Sequence, residues 1–519
     1  MGHVFVVPGD IRRLACDGWM VPTDKIFVLS GVWKDDLRLV SSMADARRKH
    51  GPMAADERVV QWPIDGEADL WMVDVGLFDD DMHRVHEGVR EFLRKAGEAL
   101  AGSSPRFGRA RPLIALPVVG SGMAAADPKK RAIALESLLL ILRDETPEHL
   151  DVALVTHTDW GMFSAAQKQR TKLAMGWPDL GDGLEDSLCR VAEIAQGGDL
   201  VLFVGAGASA GAGLPIWKKL LGDLAEEIEL SATARQELGD LSLLDQAEVI
   251  AGRLRADERV LGDVVAGYFS ASDYSLTHAL LASLPVQEIV TTNYDTLLEL
   301  AAESVGRPLR VLPDEPLGSV SRWLLKLHGT VTKPESIVLT REDYLRYSDQ
   351  RQALAGIVHA LLITKHMLFV GFGLDDDNFH RIVDDVRKAM RPPGSTTSEP
   401  FGTAMLPSAT DLQRELWMKD LSCINIEPIN TPEAFRKQEI ALDYLLAKSS
   451  FSTGHLLDPD FEELLDPDDR DLRELLQEVA AKVSNGEHRS PAWEGLTRLL
   501  RTLGLRDSLP GCLCSRLRA

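Results

Sequence analysis

The chain has 519 residues, of which 45% are hydrophobic and 26% charged, enough for two or three domains with a core in each. Its formal net charge of −22 argues against binding a nucleic-acid backbone, which asks for a basic face that releases counterions. The five cysteines, Cys16, Cys189, Cys423, Cys512 and Cys514, contain no CxxC pair, so neither a four-cysteine zinc site nor a disulfide framework is expected.

In chain order, residues 4–8 and 70–75 read as strands and residues 80–100 as a helix. Residues 113–118 form an apolar strand that runs into Val119-Gly120-Ser121-Gly122. Residues 129–142 are helical and 152–156 are again a strand. This alternation predicts an α/β domain with helices covering a sheet. Gly, Pro and Asp then concentrate at Gly176-Trp177-Pro178-Asp179 and Gly181-Asp182-Gly183, the expected linker between a first domain, 1–177, and a second, 184–450.

The second domain has apolar strands at 200–204, 288–292, 324–327, 367–370 and 423–426. Each of the first four ends in a polar or glycine-containing turn followed by helical sequence. If the strands are parallel, those ends converge on one crevice. Residues 451–519 are acidic at first and then helical, at 472–483 and 493–503, and read as a C-terminal extension. The expected fold is thus α/β, with two α/β domains and a small helical C-terminal segment. No apolar run approaches the length of a membrane span and the first residues lack a signal-peptide pattern, so no membrane partner and a reducing, cytoplasmic setting are expected.

The strand at 200–204 is cut off by Gly205-Ala206-Gly207-Ala208-Ser209, and an amphipathic helix begins after Gly211, Gly213 and Pro215. Strand, glycine-rich turn and helix aim backbone N–H groups at a phosphate. Glycine permits both a left-handed turn and close approach of a ligand. The later strands end in Thr292-Asn293-Tyr294-Asp295, in His328-Gly329 and in Gly371-Phe372-Gly373-Leu374-Asp375. Each has a plain structural reading alone: a helix cap, a half-buried histidine, turn glycines. Together, in this order across one α/β unit, they are poorly explained by chance.

The segments FVGAGASAGAGLP (203–215), TTNYD (291–295), KLHGT (326–330) and VGFGLDDDNF (370–379) resemble the SIR2-like (sirtuin-related) family. The resemblance implies a Rossmann-like parallel sheet with NAD+ as substrate. It implies that Gly205, Ala206, Gly207 and Ser209 cradle the pyrophosphate and that Pro215 and Trp217 also line the site. Gly371, Gly373 and Asp375 would lie toward the adenosine. Asn293 would contact the nicotinamide ribose or the attacking water, Asp295 would hold the carboxamide, and His328 would act as the base.

The chemistry fits these residue types. Breaking the nicotinamide–ribose bond develops positive charge on the sugar, so the protein need only fix the nicotinamide, orient the ribose and position a nucleophile. A histidine suits the proton transfer. Sirtuin deacylases usually carry a four-cysteine zinc module, which this chain cannot supply. Their usual Pro-Asp-Phe-Arg also reads Pro215-Ile216-Trp217-Lys218 here. The chain therefore looks like the SIR2-like NAD hydrolases of bacterial antiphage systems, which deplete NAD. The alternatives are a protein ADP-ribosyltransferase, a deacylase, and a non-catalytic NAD or ADP-ribose sensor.

The first domain resembles the macro domain. Val7-Pro8-Gly9-Asp10-Ile11 followed by Asp17 is similar to that family's first strand, and Pro117-Val118-Val119-Gly120-Ser121-Gly122-Met123 to its phosphate loop. The resemblance implies that Asp10 and Ile11 bind adenine and that Gly120, Ser121, Gly122 and Met123 wrap a diphosphate. Where ADP-ribosyl hydrolases of that family bear an Asn, this chain reads Val21-Pro22-Thr23-Asp24, which points to binding rather than hydrolysis. A ligand-free assembly domain is the alternative. An ADP-ribose-derived signalling nucleotide sensed by this domain, and a homo-oligomer, complete the expectations.

Overall fold

The computed structural model describes residues 2–76, 82–120, 128–316, 318, 321–390, 400–450, 453–484 and 491–506. Residues 80 and 81 of the expected first helix, Ser121, Gly122, Met123, Cys512 and Cys514 lie outside the described residues. The short apolar runs of the sequence become strands of two sheets, as expected for sheets buried on both faces by helices.

The first sheet contains β1 (Val4–Val7), β2 (Gly18–Thr23), β3 (Val59–Trp62), β4 (Asp69–Asp74), β5 (Leu113–Pro117) and β6 (Asp151–Val155). Their order is β1-β6-β5-β2-β4-β3, and only the β3–β4 pair is antiparallel. Helix Met82–Leu100 packs on β3 and β4, and helix Trp160–Lys172 on β1. Neither β2 nor β3 was expected. β2 contains Pro22, which ordinarily disfavours a central strand. It is tolerated because β5 pairs only with Gly18 and Trp19, leaving the rest of β2 paired on the β4 side alone.

The second sheet is entirely parallel: β7 (Leu200–Val204), β8 (Glu288–Thr291), β9 (Arg310–Leu312), β10 (Trp323–Lys326), β11 (His366–Val370), β12 (Gly402–Leu406) and β13 (Leu421–Asn425). The order is β13-β12-β11-β7-β8-β10-β9. The chain leaves β7 toward β8 on one side and returns to β11 on the other, so the strand order reverses there. The crevice at such a switch point is where open α/β sheets bind ligands. β9 and β12 are additions to the expected strands: β9 is three residues long, and β12 opens on Gly402 and Thr403, which weaken its apolar signal.

The expected linker is not a loose tether. Trp177 Nε1 donates to Asp443 Oδ2 (2.7 Å), and Asp179 pairs with Arg436 (3.0 Å). Both partners belong to helix Pro432–Ser449, which also packs on β1 and on helices Asp182–Gln196 and Leu276–Ser283. Asp443 is fully buried and accepts two bonds from Arg170 (2.8 and 3.1 Å), with His3 Nε2 at 2.9 Å. Arg436 binds both oxygens of Asp151 (2.8 Å each), and Arg109 binds Glu439 (2.8 Å). One apolar cluster runs without a break from the first sheet into the second. The C-terminal extension is also tied to the first domain, through Arg131 to Asp460 (2.5 Å) and through Lys168 to Asp466 and Asp469 (2.9 and 2.8 Å). Among the described residues no helix is long and apolar enough to cross a membrane.

Candidate functional site

The fully buried β7 ends at Gly205, and the loop that follows meets the loop after β11 backbone to backbone. Gly205 N–H donates to Val370 O (3.0 Å) and Gly207 N–H to Gly371 O (2.9 Å). A Cβ on Gly205 would lie 2.6 Å from Gly371 O, and one on Gly371 2.4 Å from Ala208 N. The left-handed turn expected of the glycine stretch falls at Gly213 (φ 83°) and not at Gly205 or Gly207, and Gly371 (66°) supplies another. Gly205 and Gly207 let two loops interlock, and their N–H groups are spent on that contact. Gly205 consequently lies behind the cleft rather than in its wall.

Every other expected residue of this site lines one cleft of about 560 Å³: Ala206, Gly207, Ser209, Pro215, Trp217, Asn293, Asp295, His328, Gly371, Gly373 and Asp375. The ends of β7, β8, β10 and β11 bring them together. The cleft is also lined by Met405–Ser408, at and just beyond the end of β12, with Asn430 and Phe435, none of which carried a motif.

Asn293 is 94% buried. Its Nδ2 donates to Gly205 O (3.1 Å) and to Ser209 Oγ (3.1 Å). A carbonyl only accepts, so the amide has one allowed orientation. That leaves Asn293 Oδ1 buried and without a protein partner. Buried acceptors are ordinarily satisfied, so an orphan at a cleft wall marks a place for a ligand hydroxyl or water. Asp295 Oδ2 accepts from Ser209 Oγ (2.8 Å), and its Oδ1 accepts from Leu297 N–H (3.0 Å), capping the helix Leu297–Ser304. The capping role and the site role coexist in one side chain.

His328 is buried against Tyr344 and Tyr347, with ring centroids 5.6 and 5.9 Å away. Its Nε2 lies 3.6 Å from Asp376 Oδ2, which itself accepts from Tyr344 OH (2.6 Å). Burial pushes its proton affinity below the ordinary histidine range. Asp376 opposes that shift, and Arg351 adds to it. Trp217 stacks on Tyr344 at 6.1 Å and 17°, so the aromatic wall continues from the glycine loop to the histidine. Tyr344, Tyr347 and Asp376 were not singled out from the sequence; the helix-capping Thr340 and Asp343 that place the two tyrosines give no chemical signal.

In the first domain, Asp10 lies just beyond β1. Burial would raise its pKa, but bonds from Arg12 N (3.0 Å), Nε (2.9 Å) and Nη2 (2.7 Å) hold it below the usual carboxylate range. Its backbone N–H donates to Tyr274 OH, which donates in turn to Asp10 O, both at 2.9 Å. Ile11 is buried, and Gly120 has φ +79°. The first motif thus faces the second domain through Tyr274, a contact without a sequence signature.

Residues 287–426 match the model of the SIR2-like domain. The protein named NAD(+) hydrolase ThsA of Enterococcus faecium is 31% identical over 209 residues, 39% of this chain and 43% of that protein. The NAD(+) hydrolase ThsA of Bacillus cereus is 32% identical over 193 residues, 36% of this chain and 40% of that protein. Defense-associated sirtuin 2 of Bacillus subtilis is 26% identical over 221 residues, 41% of this chain and 22% of that protein. The chain spans less than half the length of these curated relatives. It carries a SIR2-like domain and is homologous to these proteins through that part.

Proposed function

We propose that the chain is an NAD+ glycohydrolase, cleaving NAD+ to nicotinamide and ADP-ribose and depleting NAD as a regulated effector of bacterial antiphage defence. The observation that carries this reading is the shared cleft of an orphaned buried Asn293 Oδ1 and a buried His328 at the switch point of a parallel sheet. The homologues named as NAD(+) hydrolases support it.

In this reading Asn293 Oδ1 accepts a hydrogen bond from a ribose hydroxyl or from the attacking water. Asp295, held by Ser209 and Leu297, faces the carboxamide. His328, neutral because it is buried, takes the proton as water adds to the ribose carbon. The C–N bond breaks with its electron pair passing to the nicotinamide ring, which leaves neutral. NAD+ and water thus give nicotinamide, ADP-ribose and one proton. Preorganised groups of this kind act mainly by orientation and by stabilising the developing charge. The test is nicotinamide release by the full chain. Turnover retained in both His328→Ala and Asn293→Ala overturns the residue assignment, and label from NAD+ appearing on protein would favour a transferase.

The first domain, in the same reading, senses an ADP-ribose-derived nucleotide through Asp10, Ile11 and the loop 120–123, and biases the second domain. The Tyr274 contact at Asp10 supports this. Linear and cyclic ADP-ribose that change neither thermal stability nor NAD+ turnover would overturn it.

A further inference from the structure

Behind the cleft, on the side away from the substrate, lies a histidine that no motif singled out. His278 is wholly buried in the helix Leu276–Ser283, and every residue of that helix is buried with it. Its Nδ1 receives the backbone N–H of Ser275 at 3.3 Å, closing a capping box, and lies 2.8 Å from Ser275 Oγ. Its Nε2 lies 3.4 Å from Ser209 Oγ.

The proton inventory has two solutions, set by which ring nitrogen of His278 carries its proton. Where Nδ1 accepts from the Ser275 backbone, the ring proton sits on Nε2 and points at Ser209; where Nδ1–H donates to Ser275 Oγ, whose own proton goes to Ala208 O (2.9 Å), Nε2 faces Ser209 as an acceptor. The single proton of Ser209 is committed to the carboxylate of Asp295 at 2.8 Å. In the first tautomer Ser209 Oγ is then free to accept, and it accepts twice, from His278 Nε2–H and from Asn293 Nδ2–H (3.1 Å). In that tautomer, the one assigned to His278 below, the hydrogen-bonding capacity of Ser209 is filled.

We infer that His278 is a positioning residue for the reaction proposed above, aligning Ser209 so that Asn293 and Asp295 present fixed faces to the substrate. This inference rests on the NAD-cleaving reading. His278 touches no substrate: it acts through the hydroxyl of Ser209. The glycine-loop serine is thereby the joint between the phosphate loop and the Asn-x-Asp corner, rather than a phosphate ligand alone. Without the imidazole donor, the serine hydroxyl gains a second rotamer, and the orientation of the Asn293 amide is no longer unique.

The test compares His278→Leu with His278→Gln in the full chain. Glutamine at this third helical position keeps a capping-box acceptor and an N–H donor, whereas leucine keeps only bulk. The expected result is a fall in kcat of about tenfold or more in His278→Leu with KM little changed, and recovery of most of that loss in His278→Gln. In a Ser209→Ala background, His278→Leu should cost nothing further, since the two act as one unit. Equal kcat in wild type and a folded His278→Leu, or additive losses in the double variant, overturn the inference. If His278→Leu does not fold, His278→Asn, which keeps the capping-box acceptor but is too short to reach Ser209, takes its place in both comparisons and decides in the same way. If the wild-type chain releases no nicotinamide, the NAD-cleaving reading itself falls. NAD+ affinity measured by calorimetry on the same variants then decides for His278: weakened binding in leucine restored by glutamine supports positioning, and equal affinities overturn it.

Discussion

Asn293 Nδ2 lies 3.1 Å from Ser209 Oγ and 3.1 Å from Gly205 O, so only its Oδ1 end can face the cleft. A near-isosteric carboxylate cannot reproduce this, because it would set lone pairs against the Gly205 carbonyl. Asn293→Asp is therefore expected to lose nicotinamide release almost completely and to destabilise the fold by about 1–3 kcal/mol. Turnover assays and urea unfolding of the same preparation measure both.

His328 must be neutral to accept a proton, and burial holds its affinity below the ordinary histidine range. The acid limb of kcat/KM is accordingly expected below about pH 6.5. Asp376 opposes the burial effect, so removing its charge lowers the histidine further. Asp376→Asn should move the acid limb to lower pH while keeping the cap on Phe379 N–H, which an amide oxygen can also accept. A limb that stays in place or moves upward would contradict the role given to Asp376.

Two buried histidines set a second pH dependence, on stability. Burial pushes both His278 and His455 down to about 4 from an ordinary value of 6.5. Between those values the unfolded chain binds protons that the folded chain refuses. Stability is therefore complete above about pH 6.5 and declines as pH falls toward 4, by up to ~3 kcal/mol for each histidine. Denaturant midpoints measured across that window test the sign, and His455→Gln should flatten part of the slope.

Asp443 gathers Arg170, His3 and Trp177 at the junction of the two sheets. Asp443→Asn leaves the Arg170 guanidinium buried without its counter-charge, which costs about 3–5 kcal/mol. The expected outcome is a lower unfolding midpoint accompanied by a separate, earlier transition as the domains come apart. A single unshifted transition would mean that the junction contributes little.

The parallel second sheet and most of its cleft were legible in the sequence because buried parallel strands read as short apolar runs and their polar ends converge on one crevice. His328, Asn293 and Asp295 were found in this way. β2 was hidden by Pro22, and β12 by its leading glycine and threonine. Tyr344, Asp376 and His278 were hidden for a different reason. Each matters only through a neighbour distant in sequence, so no local pattern announces it. The glycines illustrate the opposite error: Gly205 was recognised as necessary, but what it accommodates is the backbone of residues 371–372.

That contact has a mechanical consequence. With Gly205 and Gly207 bonded to the carbonyls of Val370 and Gly371, the floor of the cleft is a single stiff plate spanning β7 and β11. A plate of this kind cannot hinge between the two strands. Any change in the width of the cleft therefore falls to side chains such as the stacked Trp217 and Tyr344 and the Arg341–Asp245 pair, which can part without breaking a strand.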